Sequence, residues 1–127
     1  MMTMKMKRSL MAAVALALPF LAAGTALFHL ELVASYPEAE EVLQASPNEI
    51  WLQFSVQPDM EQTSFSVRGA AGRVELGDIV AGDSPEIIKA PVAGTLAPGT
   101  YTLSWVGAPM DDHPVRGRYT FEVAAAR

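Results

Sequence analysis

The chain contains no cysteine. This absence excludes a scaffold held by disulfide bonds, and it also excludes thiolate zinc sites and blue-copper sites, which require a cysteine ligand. Any metal ion must therefore be bound through nitrogen, oxygen or thioether sulfur. Imidazole nitrogen is scarce too, since His29 and His113 are the only two histidines among the 127 residues.

Basic residues are few. The sequence has nine Lys and Arg against 14 Asp and Glu, and three of the nine stand near its start, at Lys5, Lys7 and Arg8. Without the first 26 residues the formal net charge changes from −5 to −8. A surface this acidic disfavours nucleic acid as a partner, because proteins bind nucleic acids largely through basic contacts to phosphate. It is compatible with collecting cations, although such a charge more often only keeps a secreted protein soluble.

One long apolar run is present, at Leu10–Leu21, between the basic start and a small-residue segment, Ala22–Ala26. A positive start, an apolar run and small residues are together typical of a secretory signal peptide. We therefore expect a signal peptide over residues 1–26 and one exported domain over residues 27–127. Leu10–Phe28 is also long enough for a marginal membrane span, so an uncleaved anchor is the alternative.

The rest of the chain reads as short strands separated by Gly- and Pro-rich turns, with no long helical pattern. Glu38–Ala45 is acidic and could hold a helical turn, and the prolines on both sides of Glu86–Ala90 favour an edge strand there. The pattern predicts an all-β sandwich of immunoglobulin type with about seven strands. The expected strands are His29–Ser35, Ile50–Val56, Thr63–Arg68, Arg73–Leu76, Glu86–Ala90, Tyr101–Val106 and Gly117–Val123.

Three aromatic residues bear on this fold. Tyr101 opens the penultimate strand after a Pro-Gly turn, which is where a tyrosine corner would sit, and an ordinary strand tyrosine is the equal alternative. Trp51 and Trp105 are expected in the core or on a sheet face rather than as a platform for a ligand.

The loop between the last two strands holds the candidate chemistry, Asp111-Asp112-His113. If the first and last strands run side by side in the same direction, His29 falls at the same end of the sandwich, and His29, Asp111 and His113 converge. Two imidazoles and a carboxylate suit Cu(II), which heads the affinity order of divalent first-row metals, and Zn(II) is the main competitor. The alternative is a solvated acidic turn with two surface histidines.

The chain resembles the CopC-type copper resistance proteins, a family of small exported copper binders, in segments that follow one another in order. These are His29–Pro37, a His followed by a strand and Ser-x-Pro; Ile50–Ser55; Leu96–Tyr101, with Pro-Gly-x-Tyr; Trp105; and Asp111–Gly117, an Asp-x-His-Pro-x-x-Gly element.

The resemblance implies a Greek-key β-barrel in the periplasm that binds one Cu(II) ion. It implies as ligands His29, through its ring and a free amine, together with Asp111 and His113. The implied role is copper sequestration or carriage, beside a copper-transport protein of the inner membrane and without catalysis.

Three departures from the family pattern matter. Asp112 replaces the usual Gly of the Asp-Gly-His element, which adds a negative charge. Beyond the leader only Met60 and Met110 remain, so no dedicated Cu(I) site is expected. Cleavage after Ala26 would leave Leu27-Phe28-His29 at the amino terminus, a tripeptide that can wrap Cu(II) with its amine, two amides and the imidazole. This terminal chelate is a hypothesis that competes with the folded site.

Two other functions compete with copper binding. One is an immunoglobulin-like interaction module with no metal. The other is an oxidative copper enzyme with an N-terminal His, for which about 100 residues is small. A hydrolase is not expected, because the sequence has no Gly-x-Ser-x-Gly element.

Overall fold

The computed structural model describes residues 29–110 and 112–125. These residues form nine β-strands and contain no helix long and apolar enough to cross a membrane. The predicted signal peptide and its alternative, a membrane anchor, lie outside the described residues. The strands are β1 Leu32–Tyr36, β2 Val42–Leu43, β3 Glu49–Phe54, β4 Ser64–Gly69, β5 Gly72–Arg73, β6 Val80–Ala81, β7 Ile87–Pro91, β8 Gly99–Gly107 and β9 Val115–Val123.

The strands form two sheets. The first has the order β1-β3-β7-β6, and the second has the order β2-β9-β8-β4-β5. All pairs are antiparallel except β2 with β9, which is parallel. Consecutive strands change sheet several times, which produces the crossed connections of a Greek key. The structure thus confirms the predicted all-β sandwich of immunoglobulin type.

The core lies between the sheets and follows from the period of two along each strand. In β3, Ile50, Leu52 and Phe54 are buried while the residues between them are more exposed. In the second sheet, Leu103 of β8 and Phe121 of β9 face them and are also buried. The strands with the clearest alternation in the sequence are therefore the ones that meet at the centre of the core.

The expected helical turn at Glu38–Ala45 is wrong. The chain forms β2 there, and the backbone bonds to β9 instead: Glu40 N donates to Thr120 O (2.6 Å), and Glu122 N donates to Glu41 O (2.9 Å). Glu40 has a φ of 65°, which interrupts any helix. One local bond remains, from Glu41 N to Glu38 O at 3.2 Å, and tertiary hydrogen bonds to the neighbouring strand take the place of a continued helical turn.

The expected edge position of the strand at Glu86–Ala90 is also wrong. β7 lies between β3 and β6, and the true edge is β6, a strand of two residues. Pro85 precedes β7 and Pro91 ends it, so neither removes a hydrogen bond from the middle of the ladder. Two-residue strands also explain why the structure has nine strands where seven were predicted.

Tyr101 forms a tyrosine corner. Its hydroxyl donates a hydrogen bond to the carbonyl oxygen of Ala97, four residues upstream, at 2.6 Å. Its ring stacks on Phe121, with centroids 5.5 Å apart. The bond ties the turn before β8 to the core, which decides between the two alternatives for this residue.

The two tryptophans pack as expected. Trp105 contacts the edge of Phe54 in the opposite sheet, with ring centroids 5.4 Å apart. Its indole also lies over Gly117, where an added Cβ would come within 2.6 Å of the ring. Trp51 is half-buried in β3, on the face opposite the core.

Candidate metal centre

One end of the sandwich, which we call the rim, brings together segments that are far apart in the sequence. It consists of residues 29–31 before β1, the loop 55–63 after β3, and the loop 108–114 between β8 and β9. The two loops are bridged, because Pro58 pairs with Pro109 and Asp59 N donates to Ala108 O at 2.8 Å. Pairing of Gly107 with Val115 closes the second loop.

His29 stands at the rim just before β1, and its side chain is exposed. Its backbone is fixed, since the Ser55 hydroxyl donates to the His29 carbonyl oxygen at 3.1 Å. The same hydroxyl accepts a hydrogen bond from Glu31 N at 2.9 Å, and Ser55 N donates to Glu31 O at 2.8 Å. The imidazole is therefore presented to solvent from an ordered backbone.

His113 stands on the other side of the rim, in the loop 108–114, and is also exposed. The loop is shaped by Asp112, whose backbone N donates to Pro109 O (3.3 Å) and whose Oδ1 accepts a hydrogen bond from His113 N (2.6 Å). The predicted ligand Asp111 lies outside the described residues. The residue that departs from the family pattern, Asp112, thus has a local structural role.

A side-chain contact joins the two histidine segments. Leu30, which follows His29, is 5 % exposed, and its Cδ2 lies 3.0 Å from where a Cβ on Gly107 would be. Gly107 is the last residue of β8 before the loop that contains His113. The structure therefore places both histidines at one end of the molecule.

The route by which the strands bring the histidines together differs from the predicted one. β1 does not pair with β9; it belongs to the other sheet and pairs with β3. β2 takes the predicted place, parallel to β9. The chain changes sheet after Tyr36, in the segment 37–41, where the Tyr119 hydroxyl donates to the Pro37 carbonyl oxygen at 2.6 Å.

The loop 55–63 is a third part of the rim, and no motif in the sequence predicts it. Asp59 holds it, since its Oδ1 accepts from Glu61 N at 3.0 Å and its Oδ2 accepts from Gln62 Nε2 at 2.9 Å. These bonds, that of Gln62 most, lower the pKa of Asp59. In the sequence, Pro58-Asp59 indicates only the end of a strand, because its pairing with Pro109 and Ala108 leaves no local pattern.

The donors at the rim fit a divalent transition metal. Both imidazoles are accessible, and nitrogen with carboxylate oxygen is a suitable set for Cu(II) or Zn(II). Within residues 29–110 and 112–125 no three His, Asp or Glu side chains are grouped closely enough to hold a metal. A set of three donors would therefore need a further group besides these side chains, such as Asp111 or a free amine.

The model of the CopC domain matches residues 32–124. This chain belongs to the CopC family. The matched segment includes Asp111 and His113 and begins after His29. Protein YobA of Escherichia coli K12 is 31 % identical over 131 residues, covering 91 % of this chain and 95 % of that protein. Copper resistance protein C of E. coli is 28 % identical over 109 residues, covering 80 % of this chain and 86 % of that protein.

Solved structures of the CopC family share the fold. PcoC, a methionine-rich copper resistance protein from E. coli, superposes with a TM-score of 0.68 and 29 % identity, covering 75 % of this chain and 98 % of PcoC. CopC from Methylosinus trichosporium OB3b gives a TM-score of 0.68 and 26 % identity, covering 78 % of this chain and 97 % of its own. By contrast with a methionine-rich relative, the described part of this CopC-family protein has two methionines, Met60 and Met110.

Proposed function

We propose that this CopC-family protein binds one Cu(II) ion at the rim and sequesters or carries it in the periplasm, with no catalytic step. His29, Asp111 and His113 are the proposed ligands. The observation that supports the proposal is the contact between Leu30 and Gly107, which joins the segment that follows His29 to the end of the strand that leads to His113.

The donor chemistry supports Cu(II) over other cations. Two neutral imidazoles and one carboxylate supply nitrogen and oxygen in numbers that a tetragonal site needs, and a free amine at His29 would supply a fourth donor. Cu(II) binds such donors more tightly than other divalent first-row ions do. Ca(II) and Mg(II) are disfavoured because they prefer oxygen ligands alone.

The position of the site suits transfer of the ion to another molecule. Both histidines are exposed on the surface, so a second protein could reach the ion without opening the core. We propose that residues 1–26 direct export and that a copper-transport protein of the inner membrane is the partner.

A matched pair of carboxylate substitutions tests the ligand assignment. Asp111→Asn removes a proposed ligand, whereas Asp112→Asn changes the neighbouring carboxylate and keeps an oxygen that can accept from His113 N. The protein purified from cells expressing the full chain would receive one equivalent of Cu(II), then a moderate chelator, and native mass spectra would report the metal retained. We expect the unmodified protein and Asp112→Asn to keep one copper and Asp111→Asn to lose it.

Two other results would contradict the proposal. Equal copper retention by Asp111→Asn and Asp112→Asn would remove Asp111 from the site, and no copper retention by the unmodified protein would favour the metal-free interaction module. The same spectra give the first residue of the processed chain, His29 or Leu27. A repeat with equimolar Zn(II) tests the metal preference, and retention of zinc in place of copper would contradict the assignment to Cu(II).

A further inference from the structure

The basic residues are collected on one face of the molecule. The described residues include five Lys and Arg, and four of them lie on the outer face of the second sheet. The fifth, Lys89, lies on β7 in the first sheet. The four are Arg68 on β4, Arg73 on β5, and Arg116 and Arg118 on β9. A chain with 14 acidic and nine basic residues thus gathers most of its described basic residues on one face, where β9 also carries the exposed Glu122 at the end away from the rim.

The alternation of each strand explains why these side chains point outward. Phe65 and Val67 of β4 are buried, so the residues between and beside them face solvent. Arg118 is in register with Ser104, and Ser104 is in register with Ser66. These residues form one outward row across three adjacent strands. Arg116 lies in the next outward row, which is nearer the rim.

A groove of about 670 Å³ runs over this face. Its floor consists of residues 64–66, 104–106 and 116–118, and Arg73 and Ile79 stand on the β5 side. The lining consists entirely of described residues and contains no Asp or Glu. We call it the arginine groove, defined by Arg73, Arg116, Arg118, Ser64, Ser66 and Ser104.

We propose that the arginine groove docks an acidic segment of a protein partner. Guanidinium groups present forked donors that bind carboxylates in a bidentate manner, and the serine hydroxyls add further donors. Charge complementarity specifies the occupant, because the three arginines have no carboxylate beside them in the lining and the rest of the chain is acidic. Complementary charge at such a surface chiefly steers the encounter and sets the orientation of the complex.

An anionic lipid surface fits the groove less well. None of the large exposed hydrophobic side chains of the described residues, which are Val33, Val42, Met60, Val80, Met110 and Val115, lines the groove. Its apolar lining residues, Phe65, Ile79, Trp105 and Val106, are buried or half-buried, so the groove projects no exposed apolar side chain that could insert among acyl chains. A narrow peptide can also enter a groove while the acidic remainder of the protein stays away from it. The proposal does not depend on copper binding, although Arg116 places the groove beside the loop 108–114.

The test is an NMR titration with an octaglutamate peptide. Amide signals of the uniformly ¹⁵N-labelled protein, purified from cells expressing the full chain, would be followed at low salt. We expect saturable shifts confined to residues of the groove, which diminish strongly when NaCl is raised to a concentration that screens exposed charges. The matched variants are Arg118→Gln and Lys89→Gln, each of which removes one positive charge, from the second and first sheet respectively.

The variants give a quantitative outcome. From the usual strength of exposed ion pairs we expect Arg118→Gln to weaken peptide binding about threefold and Arg116→Gln/Arg118→Gln about tenfold. Lys89→Gln should change it by less than about twofold. Amide spectra of the free variants report that the fold is intact, and unchanged copper retention by the double variant would show that the rim is unaffected.

Three results would overturn the proposal. Equal weakening by Lys89→Gln and Arg118→Gln would show a general charge effect without a site. Inorganic phosphate producing the same shifts at the same concentration of charge would assign the groove to small anions. Binding to vesicles containing phosphatidylglycerol, without binding to octaglutamate, would assign it to a lipid surface.

Discussion

Leu30 packs against the backbone of Gly107, so the residue after one histidine touches the strand end that leads to the other. An added Cβ at Gly107 would lie 3.0 Å from Leu30 Cδ2 and 3.4 Å from Phe54 Cε1. The absence of a side chain at Gly107 therefore lets Leu30, in the segment before β1, approach the end of β8. This close approach sets the distance between the two histidine segments at the rim.

Enlarging Gly107 is expected to destabilise the fold and separate the histidine segments. Gly107→Val would force Leu30 or Phe54 to move, at a cost of about 1–3 kcal/mol in the free energy of unfolding. Chemical denaturation measures that cost, and copper retention by the folded fraction measures the effect on the rim. Gly107→Ala should reduce both the stability and the copper retention by less than Gly107→Val does. Unchanged stability and retention in Gly107→Val would show that the contact does not constrain the rim.

Removing the hydroxyl of Tyr101 is expected to cost less than removing its ring. Tyr101→Phe loses the 2.6 Å bond to Ala97 O and keeps the stacking on Phe121, so we expect a loss of about 1 kcal/mol in stability. Tyr101→Leu loses both interactions and should cost more. Thermal or urea unfolding of the two variants separates the contribution of the hydrogen bond from that of the ring. A Tyr101→Phe variant as stable as the parent would show that the corner does not stabilise the fold.

Stability should fall at alkaline pH through Tyr119. Burial, the main cause, raises the pKa of its hydroxyl above 10.0, a repulsive Glu41 carboxylate raises it further, and a hydrogen bond with Ser35 opposes them. A raised pKa means that the folded state prefers the neutral phenol. The stabilisation that the neutral Tyr119 side chain gives the fold is therefore complete below pH 10.0, the ordinary pKa of tyrosine, and is lost as the pH rises through the folded-state pKa.

Tyr119→Phe isolates this effect, because phenylalanine cannot ionise. We expect the variant to be less stable at neutral pH, where the bond to Pro37 O is lost, and to show a shallower loss of stability above pH 10.0. Urea unfolding at several pH values between neutral and alkaline would measure how the stability of the parent and of the variant depends on pH. The same dependence for both proteins would contradict a raised pKa at Tyr119.

The terminal chelate and the folded site make opposite predictions for His113. If the processed chain begins at Leu27 and Leu27-Phe28-His29 alone holds Cu(II), His113→Ala should leave the Cu(II) affinity nearly unchanged. If the folded site holds the ion, the same change should cause a large loss. Competition with a chelator of known affinity decides between them, and His29→Ala serves as the control that weakens binding in both cases.

The rim also allows a test of Cu(I). Met60 and Met110 are exposed, and they lie on the two loops that Pro58 and Pro109 bridge. We predict no dedicated Cu(I) site, so Met60→Leu/Met110→Leu should retain as much Cu(I) as the parent under anaerobic titration. A clear loss of Cu(I) affinity in the double variant would show that the two thioethers bind the ion together.

The amino-acid sequence by itself determined the fold class and the main strands. Alternation at Ile50–Val56 and Gly117–Val123 specified which side chains enter the core, because a period of two fixes the face on which a residue lies. The Pro-Gly turn placed Tyr101 where a corner could form. The ordered motifs around His29 and Asp111–Gly117 also led to the family, which the domain match over residues 32–124 confirms.

Only the tertiary structure decided how distant segments pair. The acidic segment near Glu38 could have held a helical turn, yet it bonds to Thr120 and Glu122 and forms β2, and β1 lies in the opposite sheet. The third loop of the rim depends on pairing between positions as far apart in the sequence as Pro58 and Pro109. The arginine groove depends on the register of β4 with β8, which pairs Ser64 with Val106, as well as on the β8–β9 hairpin. Pairing over such separations is set by the packing of the whole sandwich, which leaves no periodic signal within any one segment.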